Sequence, residues 1–214
     1  MDRWLLQKKE VSFPKETQVF SWPVDCFFLK KKWEGYLKNK PNTLIVYFSR
    51  TGRTEKVVDR VKETLQDCKK EPVRELIRRN GPLGYLRSLW EATVGATPII
   101  QRPENDPSQF DLLILASPVW MSRVASPMKT YLNKMEAHFP KVAFVVTEGG
   151  SGGNRALLQM RDLCSRIPIA ELVITEDEIA KGNYIHRVDT FCEQIESHSE
   201  KETITPPSMK KSMS

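Results

Sequence analysis

The sequence predicts an alternating α/β domain in which a parallel sheet is covered by helices on both faces. Two observations predict it. Residues 43–48, 110–116 and 141–147 are apolar, β-branched or aromatic at nearly every position, as suits strands buried on both sides. Each run ends in a loop of unusual composition and is followed, directly after that loop, by a segment with helical apolar spacing. Open α/β sheets bind ligands at the carboxyl ends of their strands, so these loops are the first candidates for a site.

The first run stops at Ser49, Arg50, Thr51, Gly52, Arg53 and Thr54, and residues 55–65 then place Val57, Val58, Val61 and Leu65 on one helical stripe. Three hydroxyls surround Gly52. Together with the unpaired amides and positive dipole end of the helix they form an anion site that needs no lysine, although Ser and Thr also serve simply as helix caps. No Lys follows Gly52, so the GxxxxGK[ST] loop is absent and a general nucleoside triphosphatase is disfavoured.

Residues 72–77 read as a short edge strand, with Pro72 tolerated at its start. Residues 81–95 put Leu83, Leu86, Leu89, Trp90 and Val94 on a helical face. After the turn-rich stretch 102–107, the strand 110–116 ends at Ser117, Pro118, Val119, Trp120, Met121 and Ser122, and a helix follows over 126–139. The strand 141–147 ends at Thr147. Glu148, Gly149, Gly150, Gly152 and Gly153 come next, before a helix starting near Arg155. Four glycines in five residues let a backbone approach a ligand closely, or merely connect flexibly. A further strand at 169–175 and a helix at 187–197 close the domain, and the chain from 197 reads as a disordered polar tail.

Residues 1–42 form an extension rich in aromatic and basic residues, without a sustained period. The net charge of +6 is unevenly placed: residues 1–42 carry +4, residues 43–196 only +1 and the tail +1. A nucleic-acid-binding face on the domain is therefore not supported. Apolar runs are far shorter than a membrane span needs, and no signal-peptide pattern is seen, so a cytoplasmic protein is expected. Cys26, Cys68, Cys164 and Cys192 are widely spaced and suggest reduced thiols, while His138, His186 and His198 show no metal-ligand spacing.

At Ser49, Thr51, Gly52 and Thr54 the chain resembles the flavodoxin family, whose first loop, Ser/Thr-x-Thr-Gly-x-Thr, holds the phosphate of flavin mononucleotide (FMN). The Pro-x-Trp stretch at Trp120 matches the family's second loop, and 148–154 stands where its third loop contacts the flavin ring. The resemblance spans residues 43–196. It implies a three-layer sandwich with a five-stranded parallel sheet of order 2-1-3-4-5. A response-regulator domain shares that topology but needs an acidic pocket and an acceptor Asp, where Ser49 and Ser117 stand instead.

The resemblance also implies a cofactor, FMN, held by the three loops from Ser49 to Thr54, Ser117 to Met121 and Thr147 to Gly153. It implies redox chemistry of one of two kinds: electron transfer with a partner protein, or NAD(P)H-dependent reduction of a quinone-like acceptor. Shuttle flavodoxins are acidic, so the near-neutral body leans toward an oxidoreductase enzyme; a homodimer is left open. Three departures feed an alternative, a binding or structural module that keeps the fold without the flavin. Arg53 replaces a common Asn, the third loop lacks a common Tyr, and Met121 and Ser122 stand where family members have Gly. A positive φ is costly without Gly, which argues against a peptide flip with the half-reduced flavin and toward two-electron chemistry.

Overall fold

A computed structural model describes residues 40–76 and 98–204. Five strands run in parallel: β1 (Thr43–Tyr47), β2 (Cys68–Pro72), β3 (Leu112–Trp120), β5 (Lys141–Glu148) and β6 (Glu171–Thr175), in spatial order β2-β1-β3-β5-β6. A two-residue strand, β4 (Arg123–Val124), pairs antiparallel with the end of β3 and lies off this path. Leaving β4 aside, the order is the expected 2-1-3-4-5.

Alternation within the apolar runs builds the three layers. Leu44, Val46, Leu113, Leu115, Val142, Phe144 and Val146 face one side, against Met128, Tyr131 and Leu132 of α2 (Ser126–Met135) and Ala156, Leu157 and Met160 of α3 (Gly153–Cys164). Ile45, Tyr47, Leu112, Ile114, Ala143 and Val145 face the other. There they meet Val57, Val58 and Val61 of α1 (Arg53–Leu65), Ile179 of α4 (Glu176–Lys181) and Val188, Phe191 and Ile195 of α5 (Tyr184–Ile204). A central strand with both faces covered needs no polar side, which is why its sequence shows no alternation.

The edge strand departs from expectation. It runs over Cys68–Pro72 rather than 72–77, paired from Thr43↔Cys68 to Tyr47↔Pro72. The turn after α1, with Gln66 at φ 67°, brings Cys68 into register at once. The apolar residues that suggested a strand engage elsewhere: Gln101 donates to the Arg74 carbonyl and Leu76 to that of Ile99, around an antiparallel Glu75↔Ile100 bridge. Buried Glu71 accepts hydrogen bonds from the amides of Glu104 and Asn105, tying down the return segment.

β3 extends through 117–120, expected as loop, because Val119 and Trp120 pair with β4. The helix expected over 126–139 ends at Met135 and passes into a 3₁₀ turn, Glu136–His138. α5 reaches Ile204, so residues 197–204 are helical rather than a tail. Most of the expected extension 1–42, the helix 81–95 and the tail beyond 204 lie outside the described residues.

Candidate functional site

Because β1, β3, β5 and β6 are parallel, their carboxyl ends bring four loops to one sheet edge. An open cleft of about 340 Å³ lies among them, lined by Arg50, Thr51, Arg53, Thr54, Pro118, Val119, Trp120, Thr147, Gly149 and Glu176. Nine of these are residues expected from sequence to hold a cofactor.

The first wall is the start of α1. Gly52 occupies the N-cap at φ 82°, which closes the turn without side-chain capping; nothing lies within 4 Å of where its Cβ would be, so glycine is needed there for conformation rather than space. Ser49 Oγ takes the amide of Glu55 at 3.3 Å. The amides of Arg53 and Thr54, which precede it, find no acceptor within the helix, as at any helix start. The Thr54 and Thr147 hydroxyls share a buried 2.7 Å hydrogen bond that fastens α1 to the end of β5.

Acidic Glu55, in the first turn of α1, is engaged by two neighbours. The Tyr47 hydroxyl donates to it at 2.5 Å and Lys70 Nζ at 3.2 Å. These two hold its carboxyl below the usual carboxylate range, and burial, with the bond to Glu55, pushes the Tyr47 phenol up to about 12. The charges on the cleft wall are Arg50, Arg53 and Glu176, giving a positive balance beside the positive dipole end of α1. Arg53 Nη1 bonds Glu176 Oε1 at 2.9 Å. Sequence reading missed Glu176. Its signal was positional: it is the first residue past the carboxyl end of the last strand, the edge where ligands bind.

The second wall is the β3–β4 hairpin. The Trp120 indole packs edge-on to Phe48, ring centroids 5.5 Å apart, and Arg50 Cζ lies 5.9 Å from the indole centre. Met121 and Ser122 form the two-residue turn, with φ 50° and 59°, positive at both central positions as in a type I′ hairpin. Positive φ is thus adopted at both positions without glycine, despite the cost expected of it there. Ser117 is fully buried. Its hydroxyl donates to the Pro118 carbonyl and accepts the Ala125 amide, so it braces the hairpin and does not line the cleft.

The third wall divides within the glycine-rich loop. Gly149 lines the cleft, and a Cβ at Gly149 or Gly150 would meet nothing within 4 Å. Gly152, at φ 102°, lies against the hairpin: its Cβ would stand 2.7 Å from Ser122 Cα. A Cβ on Gly153 would strike Val173 at 2.5 Å. The Gly153 amide donates to Glu148 Oε2, so Glu148 caps α3. Glu148, Gly152 and Gly153 border a second, shallower depression with Arg155, Thr175 and Arg187 rather than the cleft.

Residues 44–183, more than half of the chain, match the family of NADPH-dependent FMN reductases. The chain belongs to that family. It is a flavodoxin-like redox protein with FMN as its cofactor. Solved structures agree on the fold. A flavoprotein from Lactobacillus acidophilus in complex with FMN is 24% identical, with a TM-score of 0.55, covering 66% of this chain and 97% of its own. The apo form of the flavoprotein from that organism gives 23% identity, a TM-score of 0.50 and coverage of 65% and 95%. A candidate flavoprotein from Bacteroides uniformis gives 17% identity, a TM-score of 0.59 and coverage of 71% and 97%. No curated protein matches. No helix among the described residues is long and apolar enough to cross a membrane.

Proposed function

We propose that the chain binds FMN without a covalent bond in the cleft between α1, the β3–β4 hairpin and Gly149, and uses it for NAD(P)H-dependent reduction of a quinone-like acceptor. The observation that carries this reading is the convergence of an amide-rich helix start, an aromatic hairpin and a glycine with open space on one cleft of about 340 Å³, within the size range of small-molecule sites. Thr51, Arg53, Thr54 and the first amides of α1 hold the phosphate; the positive φ of Gly52 aims those amides at it. Trp120 flanks the ring on one side, and the backbone at Gly149 approaches its edge. Bound FMN supplies the electron-carrying chemistry. The protein's own work is orientation, and Ser49, Ser117, Glu148, Gly152 and Gly153 support it by bracing the loops.

A reductase is favoured over a shuttle by the near-neutral charge of residues 43–196, since protein docking by shuttles relies on charge complementarity. The proposed compartment is the cytoplasm. Burial pushes the thiols of Cys164 and Cys192 up to about 12, which suits stable reduced cysteines. Chromatography of the holoprotein tests the homodimer left open by the sequence. The reading itself is tested by desalting the protein after adding FMN and then following NADPH oxidation with a quinone present. Retained bands near ~375 and ~450 nm with quinone-dependent NADPH loss support it; bands without NADPH oxidation point to electron transfer between proteins; a colourless protein refutes it.

A further inference from the structure

The Arg53–Glu176 pair crosses the phosphate end of the cleft, and both residues line it. Arg53 opens α1 at the first position past Gly52, and Glu176 follows directly on β6. Their side chains are 50% and 42% exposed, so the pair itself stabilises little. A carboxylate is nevertheless an odd neighbour for an anion site. The N-terminal cap of α4 does not use it: Thr175 and Glu178 cap that start, each bonded to the other's backbone.

We infer that Arg53 and Glu176 form an exchangeable latch in which Glu176 holds Arg53 until a phosphate dianion displaces it, so that Glu176 sets the affinity and the selectivity for phosphorylated flavin. The inference rests on the FMN reading above. A dianionic phosphate offers Arg53 stronger, bidentate hydrogen bonding than one exposed carboxylate does. The transfer is therefore downhill for FMN and has no driving force for an uncharged ligand. After the exchange Glu176 faces the phosphate without its partner.

The test is flavin-fluorescence titration of the wild-type protein and the variants E176Q, R53A and R53A/E176Q with FMN and with riboflavin. Melting temperatures serve as the folding control. E176Q is expected to bind FMN about five-fold more tightly and riboflavin unchanged, a change of about 1 kcal/mol by the relation of affinity to free energy. R53A is expected to weaken FMN by at least about ten-fold, since it leaves the Glu176 carboxylate against the phosphate, and adding E176Q is expected to recover part of that loss. The latch is overturned if E176Q binds FMN no tighter than wild type, or if riboflavin shifts by the same factor. FMN binding by wild type with no effect of E176Q removes the latch and leaves the FMN reading standing. Absence of FMN binding in every variant removes both.

Discussion

Gly149 and Gly150 are separated from Gly152 and Gly153 by Ser151 alone, yet the two pairs exist for opposite reasons. The first pair has empty space where a side chain would be, and Gly149 faces the cleft. The second pair has no space at all: Gly152 lies on the backbone of Ser122 at φ 102°, and Gly153 lies on Val173. One half of the loop leaves open space, at Gly149 on the cleft, whereas the other half lets two loops interlock. The second half also accounts for the hairpin. A turn with Met and Ser at positive φ costs about 1 to 2 kcal/mol per residue, and such strain persists only where the surroundings over-determine it. Gly152 packed on Ser122 supplies that constraint.

Substitutions that add or remove a side chain at these points separate the two roles. The largest effect is expected from Gly152→Ala, which both strains the backbone and drives a Cβ to 2.7 Å from Ser122 Cα. It should destabilise the protein by about 3 kcal/mol or more and weaken FMN through the displaced hairpin; urea unfolding with parallel flavin titration measures both. A G152A protein of wild-type stability would dissolve the contrast between the two halves. Gly52→Ala tests conformation without crowding, since φ is 82° and the surrounding space is open; about 1 to 2 kcal/mol of lost stability is expected.

Ser122→Gly relaxes one strained position of the turn at the entropic cost of a glycine, so a small gain of about 0.5 kcal/mol is expected in thermal unfolding. A marked loss would show that the Ser122 side chain, rather than its backbone, carries the contact with Gly152. Gly149→Ala probes the open half of the loop. Stability should stay within about 0.5 kcal/mol of wild type, while FMN affinity falls, because the new methyl occupies the space left for the ligand.

Acid titration of stability gives the smallest effect and a control away from the glycines. The folded-state pKa of Glu55 is depressed, by the Tyr47 hydroxyl and then by Lys70. Its contribution is therefore fully present above the unfolded value of 4.5 and is lost as pH falls from there through the folded value. Tyr47→Phe should flatten the fall of urea midpoints below that pH, and an unchanged profile would remove Tyr47 as the cause.

The central strands were legible because burial on both faces leaves apolar residues at nearly every position of β1, β3 and β5. β2 was not, because an edge strand reading Cys-Lys-Lys-Glu-Pro has no apolar pattern and its place is set by register against β1. The loop before α1 could be read from its hydroxyls and Gly52. The hairpin could not, since Met121-Ser122 lacks the Asn-Gly or Gly-Gly signal of a type I′ turn. Four glycines in five residues look alike in sequence, and only the neighbours at 2.7 Å and 2.5 Å tell the packed pair from the open one. Glu176 was hidden for a further reason: in the run Glu176-Asp177-Glu178 it reads as part of a solvated helix start, and its approach to Arg53 joins residues 123 positions apart.

The proposal that the start of α1 holds a phosphate beside an aromatic hairpin flanking a flavin ring is tested by the wild-type affinity for FMN against that for riboflavin. The two ligands share the ring and differ in the phosphate. FMN should bind at least about ten-fold more tightly, a difference of about 1.4 kcal/mol or more, with the preference shrinking as salt is raised. Equal affinity for the two ligands would contradict it, because the first loop would then have no phosphate to hold.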